Sequence, residues 1–183
     1  KFTLLISVLL SAQTTDVNVN NVTKNIYPKF NRPEHFVKLG RKKIEKLIKS
    51  IGIFRVKAKS VYLLSKQLIK KHNGKVPKTF EELEKLPGVG HKTASVVMAQ
   101  GFGIPAFPVD THVYRVTRRL GLIDKQTSVD SAHEILEAAT EPQRVYSLHR
   151  SLISHGRKIC NARFPRCGEC VLTAICPSSV TSD

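Results

Sequence analysis

The chain contains no tryptophan, one methionine and few acidic side chains, and its only cysteines, Cys160, Cys167, Cys170 and Cys176, share one short segment near the C-terminal end. Each shortage excludes something. No disulfide can staple the chain ahead of Cys160, so its order must come from an apolar core. No apolar run reaches the roughly eighteen residues that a membrane-spanning helix needs, which argues for a soluble protein. Sustained two-residue alternation with hairpin turn signals is missing too, so sheets are not expected. Fourteen Asp and Glu face thirty Lys and Arg, a formal net charge of +16. An excess of that size points to a polyanionic partner, nucleic acid first, with an anionic membrane surface or charge that serves only solubility as the competing readings.

What is present is helical periodicity. The 183 residues fit one globular domain or two small helical lobes with a real core. Arg41 to Ile51 places Ile44, Leu47, Ile48 and Ile51 at helical spacing with lysines between them, and Gly52 closes the element. Lys59 to His72 repeats the pattern through Val61, Leu64, Leu68 and Ile69, with Asn73-Gly74 as a left-handed stop. Thr79 and Glu82 stand in capping-box positions for a short helix that Pro87-Gly88-Val89-Gly90 breaks. Further helices are predicted from about His91 to Gln100, Thr111 to Leu120, Val129 to Ala139 and Gln143 to His155. Two prolines near Ile104 to Pro108 mark a lobe boundary. At the start, Phe2-Thr3-Leu4-Leu5-Ile6-Ser7-Val8-Leu9-Leu10 has the length and composition of a signal-peptide core, but the missing initiator Met suggests that Lys1 is internal to a longer protein.

Leu86-Pro87-Gly88-Val89-Gly90-His91-Lys92-Thr93-Ala94 is the first segment with chemical content. Two glycines at a helix start allow close approach to a ligand, and their N–H groups can point at a phosphate oxygen, which anchors a nucleic-acid backbone without reading its sequence. A bare turn with Gly-x-Gly is also common in proteins that bind nothing. Lys92 alone would read as a surface lysine on a phosphate, and Asp110, ahead of the run from Thr111, as a helix N-cap. The four cysteines are spaced Cys-x6-Cys-x2-Cys-x5-Cys, a run of thiolates that suits an iron–sulfur cluster, with structural zinc as the competitor.

Leu86-Pro87-Gly88-Val89-Gly90 with Lys92-Thr93-Ala94, followed by Val109-Asp110-Thr111-His112-Val113 and preceded by Leu10-Ser11-Ala12-Gln13-Thr14-Thr15-Asp16, resembles the helix-hairpin-helix DNA glycosylases of the endonuclease III family. The resemblance covers essentially the whole chain. It implies an all-α, two-lobed fold: residues 1–105 as a helical lobe holding the hairpin at about 79–101, and residues 106–183 as a second helical lobe with a cluster loop at 160–176. The additional N-terminal helix usual in the family is not in the sequence. It further implies removal of oxidised or damaged pyrimidines from double-stranded DNA and cleavage at the resulting abasic site, by a monomer in a DNA-containing compartment. A mismatch-directed thymine or uracil glycosylase and a non-catalytic DNA-binding module are the rival readings.

On that resemblance Lys92 is the nucleophile, whose amine attacks a deoxyribose C1′ to leave an imine, and Asp110 supplies a negative charge beside the sugar. Gln13 matches the residue that fills the gap left by an extruded nucleotide, and Ile53 is placed as a wedge against the opposite strand. Taken alone, Gln13 would be a polar residue at a helix end and Ile53 a core side chain. Gly88, Gly90 and His91 are expected to hold the DNA backbone, His91 standing where many relatives carry arginine. The family uses the four-cysteine pattern for a [4Fe–4S] cluster, with Lys158, Arg163 and Arg166 flanking or within its first loop as phosphate contacts.

Overall fold

Apolar side chains recurring every three to four residues bury one face of each helix, and that recurrence accounts for the all-helical architecture of the computed structural model, which describes residues 1–180. No strand occurs among the described residues. Two compact units result, Lys1–Gly103 and a second beginning at Ile104.

In the first unit, α1 (Phe2–Ser11) is the central element, with Phe2, Leu5, Ile6, Leu9 and Leu10 buried. The apolar run of the sequence is therefore core helix. Around it stand α2 (Asp16–Ile26), α3 (Pro33–Leu39), α4 (Arg41–Leu47) and α5 (Phe54–His72). Thr15 caps α2 by accepting from the Asn18 N–H. Phe36 of α3 packs edge-on against Phe2 at 5.5 Å between ring centres.

Three helix boundaries differ from expectation. The helix expected over Arg41 to Ile51 ends at Leu47, after which Ile48 and Ile51 are carried by a turn and remain buried. The helix expected from Lys59 begins at Phe54. Arg55, Lys57 and Lys59 interrupt the apolar pattern over its first turns, yet Lys57 is itself buried, only 3% exposed. The helix expected over His91 to Gln100 is α only for His91–Val96 and continues as a π-turn, Val97–Phe102. That wide turn holds Val97 and Met98 in the core while Gly101 passes α1, where an added β-carbon would lie 3.3 Å from Leu4 Cδ2. Asn73 and Gly74 close α5 with φ of 51° and 73°, as their types favour.

The hairpin consists of α6 (Phe80–Glu84), the Leu86–Gly90 turn and α7 (His91–Val96). Thr79 caps α6 by accepting from the Glu82 N–H, the first bond of a capping box, while its hydroxyl donates to Glu82 Oε2 in place of the reciprocal backbone bond. Leu83, Leu86 and Val89 are buried and anchor the turn.

The second unit is built on α8 (Thr111–Arg119), α9 (Val129–Ala138) and α10 (Val145–Lys158), the last entered through a short 3-10 turn at Pro142–Arg144. Its core joins Phe107, Val109, Val113, Val116, Ala132, Leu136 and Leu152. The helices α8 and α10 meet closely at Gly156, where a β-carbon would lie 3.0 Å from His112 Cβ. No helix among the described residues is long and apolar enough to cross a membrane.

Candidate active site and metal centre

Gly88 and Gly90 have different reasons to be glycine. Gly88 has φ +81°, in the left-handed region, and an added β-carbon would fall 2.7 Å from Ser60 Cβ. Both backbone and packing therefore demand it. Gly90 is extended, with φ −101°, and a β-carbon there meets nothing within 4 Å. Its want of a side chain leaves open space at the N-terminus of α7, whose first N–H groups have no partner within the helix.

Lys92 stands in the first turn of α7, exposed and without a salt bridge among the described residues. Its neighbour His91 is engaged: Nδ1 lies 2.7 Å from Glu84 Oε1, and the ring stacks on Phe80 at 5.1 Å and 14°. His91 thus braces α7 against α6. Glu84 and Phe80 are partners that the sequence reading missed, since nothing in their spacing marks them as hairpin ties.

Gln13 and Ile53 share an unusual conformation. Their φ values are 53° and 50°, and with Asn73 they are the positive-φ residues other than glycine among the described positions. For Ile53, β-branched, the left-handed region is a steric outlier that costs on the order of 1–3 kcal/mol. Strain of this kind is kept where surrounding structure over-determines it. Both side chains are exposed, Ile53 by 52%, so Ile53 is not the core residue its type suggested. The two loops lie side by side, because a β-carbon on Gly52 would be 3.2 Å from the Gln13 carbonyl oxygen.

In the second unit Asp110 caps α8, its Oδ1 accepting from the N–H groups of His112 and Val113 at 2.8 Å each. No bond is made to Oδ2 among the described residues, so one oxygen caps while the other is uncommitted.

The four cysteines line one cavity, together with Val116, Arg119, His155 and Ile159. None is disulfide-bonded. Among the described residues no three His, Cys, Asp or Glu side chains converge closely enough to hold a single ion, so the sulfurs frame a volume. Donors point at two of them. Arg119 Nη1 is 3.3 Å from Cys160 Sγ, and the Leu172 N–H and His155 Nε2 are 3.4 and 3.7 Å from Cys170 Sγ. From the same side of α8, Arg115 holds the carbonyls of Gly156 and Cys160, and Arg119 those of Asn161 and Ala162. These two arginines went unassigned from sequence, although their spacing of four residues puts them on one helix face. Lys158 and Arg163 are exposed. Arg166 is bound by both carboxylate oxygens of Glu169, its Nε at 2.8 Å from Oε1.

A family model described as HhH-GPD superfamily base excision DNA repair protein matches residues 6–142. Endonuclease III of Rickettsia prowazekii is 46% identical over 175 residues, 96% of this chain and 82% of that protein. The chain belongs to the endonuclease III family. A solved structure of a trapped endonuclease III–DNA covalent intermediate superposes with a TM-score of 0.90 at 42% identity, covering 96% of this chain and 83% of that one. A thermostable thymine-DNA glycosylase has the same fold, with a TM-score of 0.88, but at 26% identity over 97% of this chain and 83% of that one. The endonuclease III kinship is thus the stronger, and the mismatch-glycosylase reading is not favoured. Membership of the endonuclease III family carries with it the expectation of an iron–sulfur cluster. The chain fits one: four unbridged thiols face one cavity, and N–H donors are aimed at the Cys160 and Cys170 sulfurs, which suits thiolate ligands.

Proposed function

We infer that the protein is a base-excision repair DNA glycosylase and abasic-site lyase that acts on oxidised or otherwise damaged pyrimidines in double-stranded DNA. The carrying observation is an exposed, unpaired Lys92 at the start of the hairpin's second helix, beside a glycine whose missing side chain no packing explains.

In this reading the +16 charge draws the protein to DNA through phosphates, and the hairpin N–H groups at Gly88 to Gly90 hold one strand. A damaged nucleotide leaves the stack, Gln13 fills the gap and Ile53 wedges the opposite strand. The Lys92 amine attacks C1′ as the glycosidic electron pair leaves with the base, which takes up a proton. The sugar ring then opens to an imine on Lys92 Nζ. Loss of a C2′ proton pushes an electron pair through the imine and expels the 3′ phosphate, and water finally releases the lysine. Asp110, fixed at the α8 N-terminus by its cap bonds, stabilises positive charge on the sugar as the base departs.

The four cysteines hold a [4Fe–4S] cluster, which supplies structural order to the loop that carries Arg163 and Arg166. Arg115 and Arg119 clamp that loop to α8 through its carbonyls. Purified protein should contain about four irons per chain, as a Cys₄ [4Fe–4S] site does. One stoichiometric zinc in colourless protein would assign the cavity otherwise.

Incision of a duplex carrying thymine glycol, beside the same duplex undamaged, tests the enzymatic reading. Cleavage confined to the damaged strand is expected. Binding without conversion of either duplex would make the protein an architectural DNA-binding module.

A further inference from the structure

Lys57 is a buried lysine that makes no salt bridge among the described residues. It is 3% exposed, and burial pushes its ammonium down from the usual lysine range. A charge in that position is costly unless each of its three donors is met. All three are. Nζ donates to the Leu10 carbonyl at 2.8 Å, to the Ala12 carbonyl at 2.5 Å and to Thr14 Oγ1 at 3.1 Å. The carbonyls belong to the C-terminal end of α1, where the helix dipole favours a cation.

The position of these acceptors matters more than their number. Ala12 and Thr14 flank Gln13 on either side, so the ammonium grips the loop at both shoulders of its left-handed residue. The backbone N–H of Lys57 donates to the Ile53 carbonyl at 3.2 Å, the first helical bond of α5. Lys57 is therefore tied to Ile53 through its main chain and to the Gln13 loop through its side chain. A second tie runs parallel, from Asn18 Nδ2 to the Ser50 carbonyl at 2.9 Å. Close contact of Gly52 with the Gln13 carbonyl completes the join.

We propose that Lys57 is a positioning residue for base extrusion, its triple hydrogen bond locking the Gln13 and Ile53 loops into one rigid pair of projections that enters the DNA as a unit. This rests on the reading of Gln13 and Ile53 as DNA-inserting residues. Two exposed loops held independently would spread their side chains over many positions, and entry into a stacked duplex would then carry the entropy of ordering them. A prior lock removes that penalty from the extrusion step and leaves the chemistry at Lys92 untouched.

The experiment uses full-length protein in a Lys92→Gln background, so that no bond is broken, and a duplex with 2-aminopurine opposite thymine glycol. Fluorescence of the 2-aminopurine after rapid mixing reports its unstacking. Lys57→Met, which keeps the apolar stem and removes the donors, should slow the rise by about tenfold or more, as expected of misplaced contact groups. Affinity for undamaged duplex, which rests on phosphate contacts, should change by less than about threefold. A merely structural lysine would lower thermal stability and weaken both signals together. Should Lys57→Met fail to fold, the double variant Thr14→Val, Asn18→Ala removes one acceptor and the parallel tie and is held to the same criteria. An unchanged rise in the brace variants, with Gln13→Ala or Ile53→Ala suppressing it, overturns the proposal alone. No effect from Gln13→Ala and Ile53→Ala overturns the underlying reading instead.

Discussion

A β-carbon added to Gly88 would lie 2.7 Å from Ser60 Cβ, whereas one added to Gly90, two residues on in the same turn, would touch nothing. The two glycines of the hairpin thus separate by physical cause. At Gly88 the fold needs the absence of a side chain, because φ is +81° and α5 is in the way. At Gly90 neither the backbone conformation nor the packing requires it.

Substitution should divide accordingly. Gly88→Ala should lower the melting temperature markedly, since left-handed strain and a backbone-side clash add to roughly 2 kcal/mol or more. Gly90→Ala should leave the melting temperature within experimental error and still weaken duplex binding, because the methyl group would stand where a phosphate is proposed to approach. Equal loss of stability in both variants would remove the functional reading of Gly90.

The basic surface near the cysteines offers a finer test. Lys158 and Arg163 are exposed without an ion pair among the described residues, while Arg166 is already committed to Glu169. Replacing Lys158 or Arg163 by Ala should reduce the log–log salt slope of duplex binding by about one per lost phosphate contact. Arg166→Ala should change it less, because Arg166 must leave its carboxylate to reach DNA. Glu169→Gln should tighten binding. Titrations of affinity against salt decide each case, and equal slopes for Arg166→Ala and Lys158→Ala would show that the Glu169 pair does not persist in solution.

Legibility from sequence follows the range of the interaction. The Thr79–Glu82 box and the Asp110 cap were readable because donor and acceptor are two or three residues apart and the residue types are diagnostic. The family motifs placed Lys92 and the cysteines in the same way. Lys57 was not readable, since its partners lie 43 to 47 residues away and its charge interrupts the apolar pattern at the start of α5. Nor was the strain at Ile53, because left-handed backbone is normally announced by glycine or asparagine and here falls on a β-branched side chain. The π-turn after Val96 was equally hidden, as the contact it makes, Gly101 against Leu4 of α1, joins residues far apart in sequence.

Tyr27 supplies a pH dependence free of tryptophan background, since the chain has none. Burial raises its phenol to about 12, partly offset by the Ser7 hydroxyl at 2.6 Å, and its own O–H donates to the Thr3 carbonyl at 3.0 Å. The folded state therefore favours the protonated phenol. Its contribution to stability is fully present below the unfolded value near 10 and is lost as pH rises through about 12. Spectrophotometric titration should show a late-ionising tyrosine among the four in the sequence. Tyr27→Phe should abolish that component and flatten the loss of stability over the same window. Persistence of the late component in Tyr27→Phe would assign it elsewhere.

Lys92 and Asp110 differ in what each contributes, and borohydride distinguishes them. The amine of Lys92 is proposed to become the imine nitrogen, so reduction during turnover should join protein and DNA covalently. Lys92→Gln keeps a polar side chain of similar length on the exposed first turn of α7, where no salt bridge is lost. It should abolish trapping yet retain most duplex binding, which is proposed to rest on the hairpin backbone and the basic surface. Asp110→Asn retains an oxygen that can accept from the His112 and Val113 N–H groups, so the α8 cap and the melting temperature should survive nearly intact. What it removes is the charge. Excision of a damaged base should slow by about 10²-fold or more, as when a group that stabilises transition-state charge is lost, while a pre-made abasic site, which has no base to lose, should still be trapped. Undiminished trapping in the Lys92→Gln protein would move the nucleophile to another amine. A large fall in melting temperature for Asp110→Asn, matching its loss of rate, would reduce Asp110 to a helix cap.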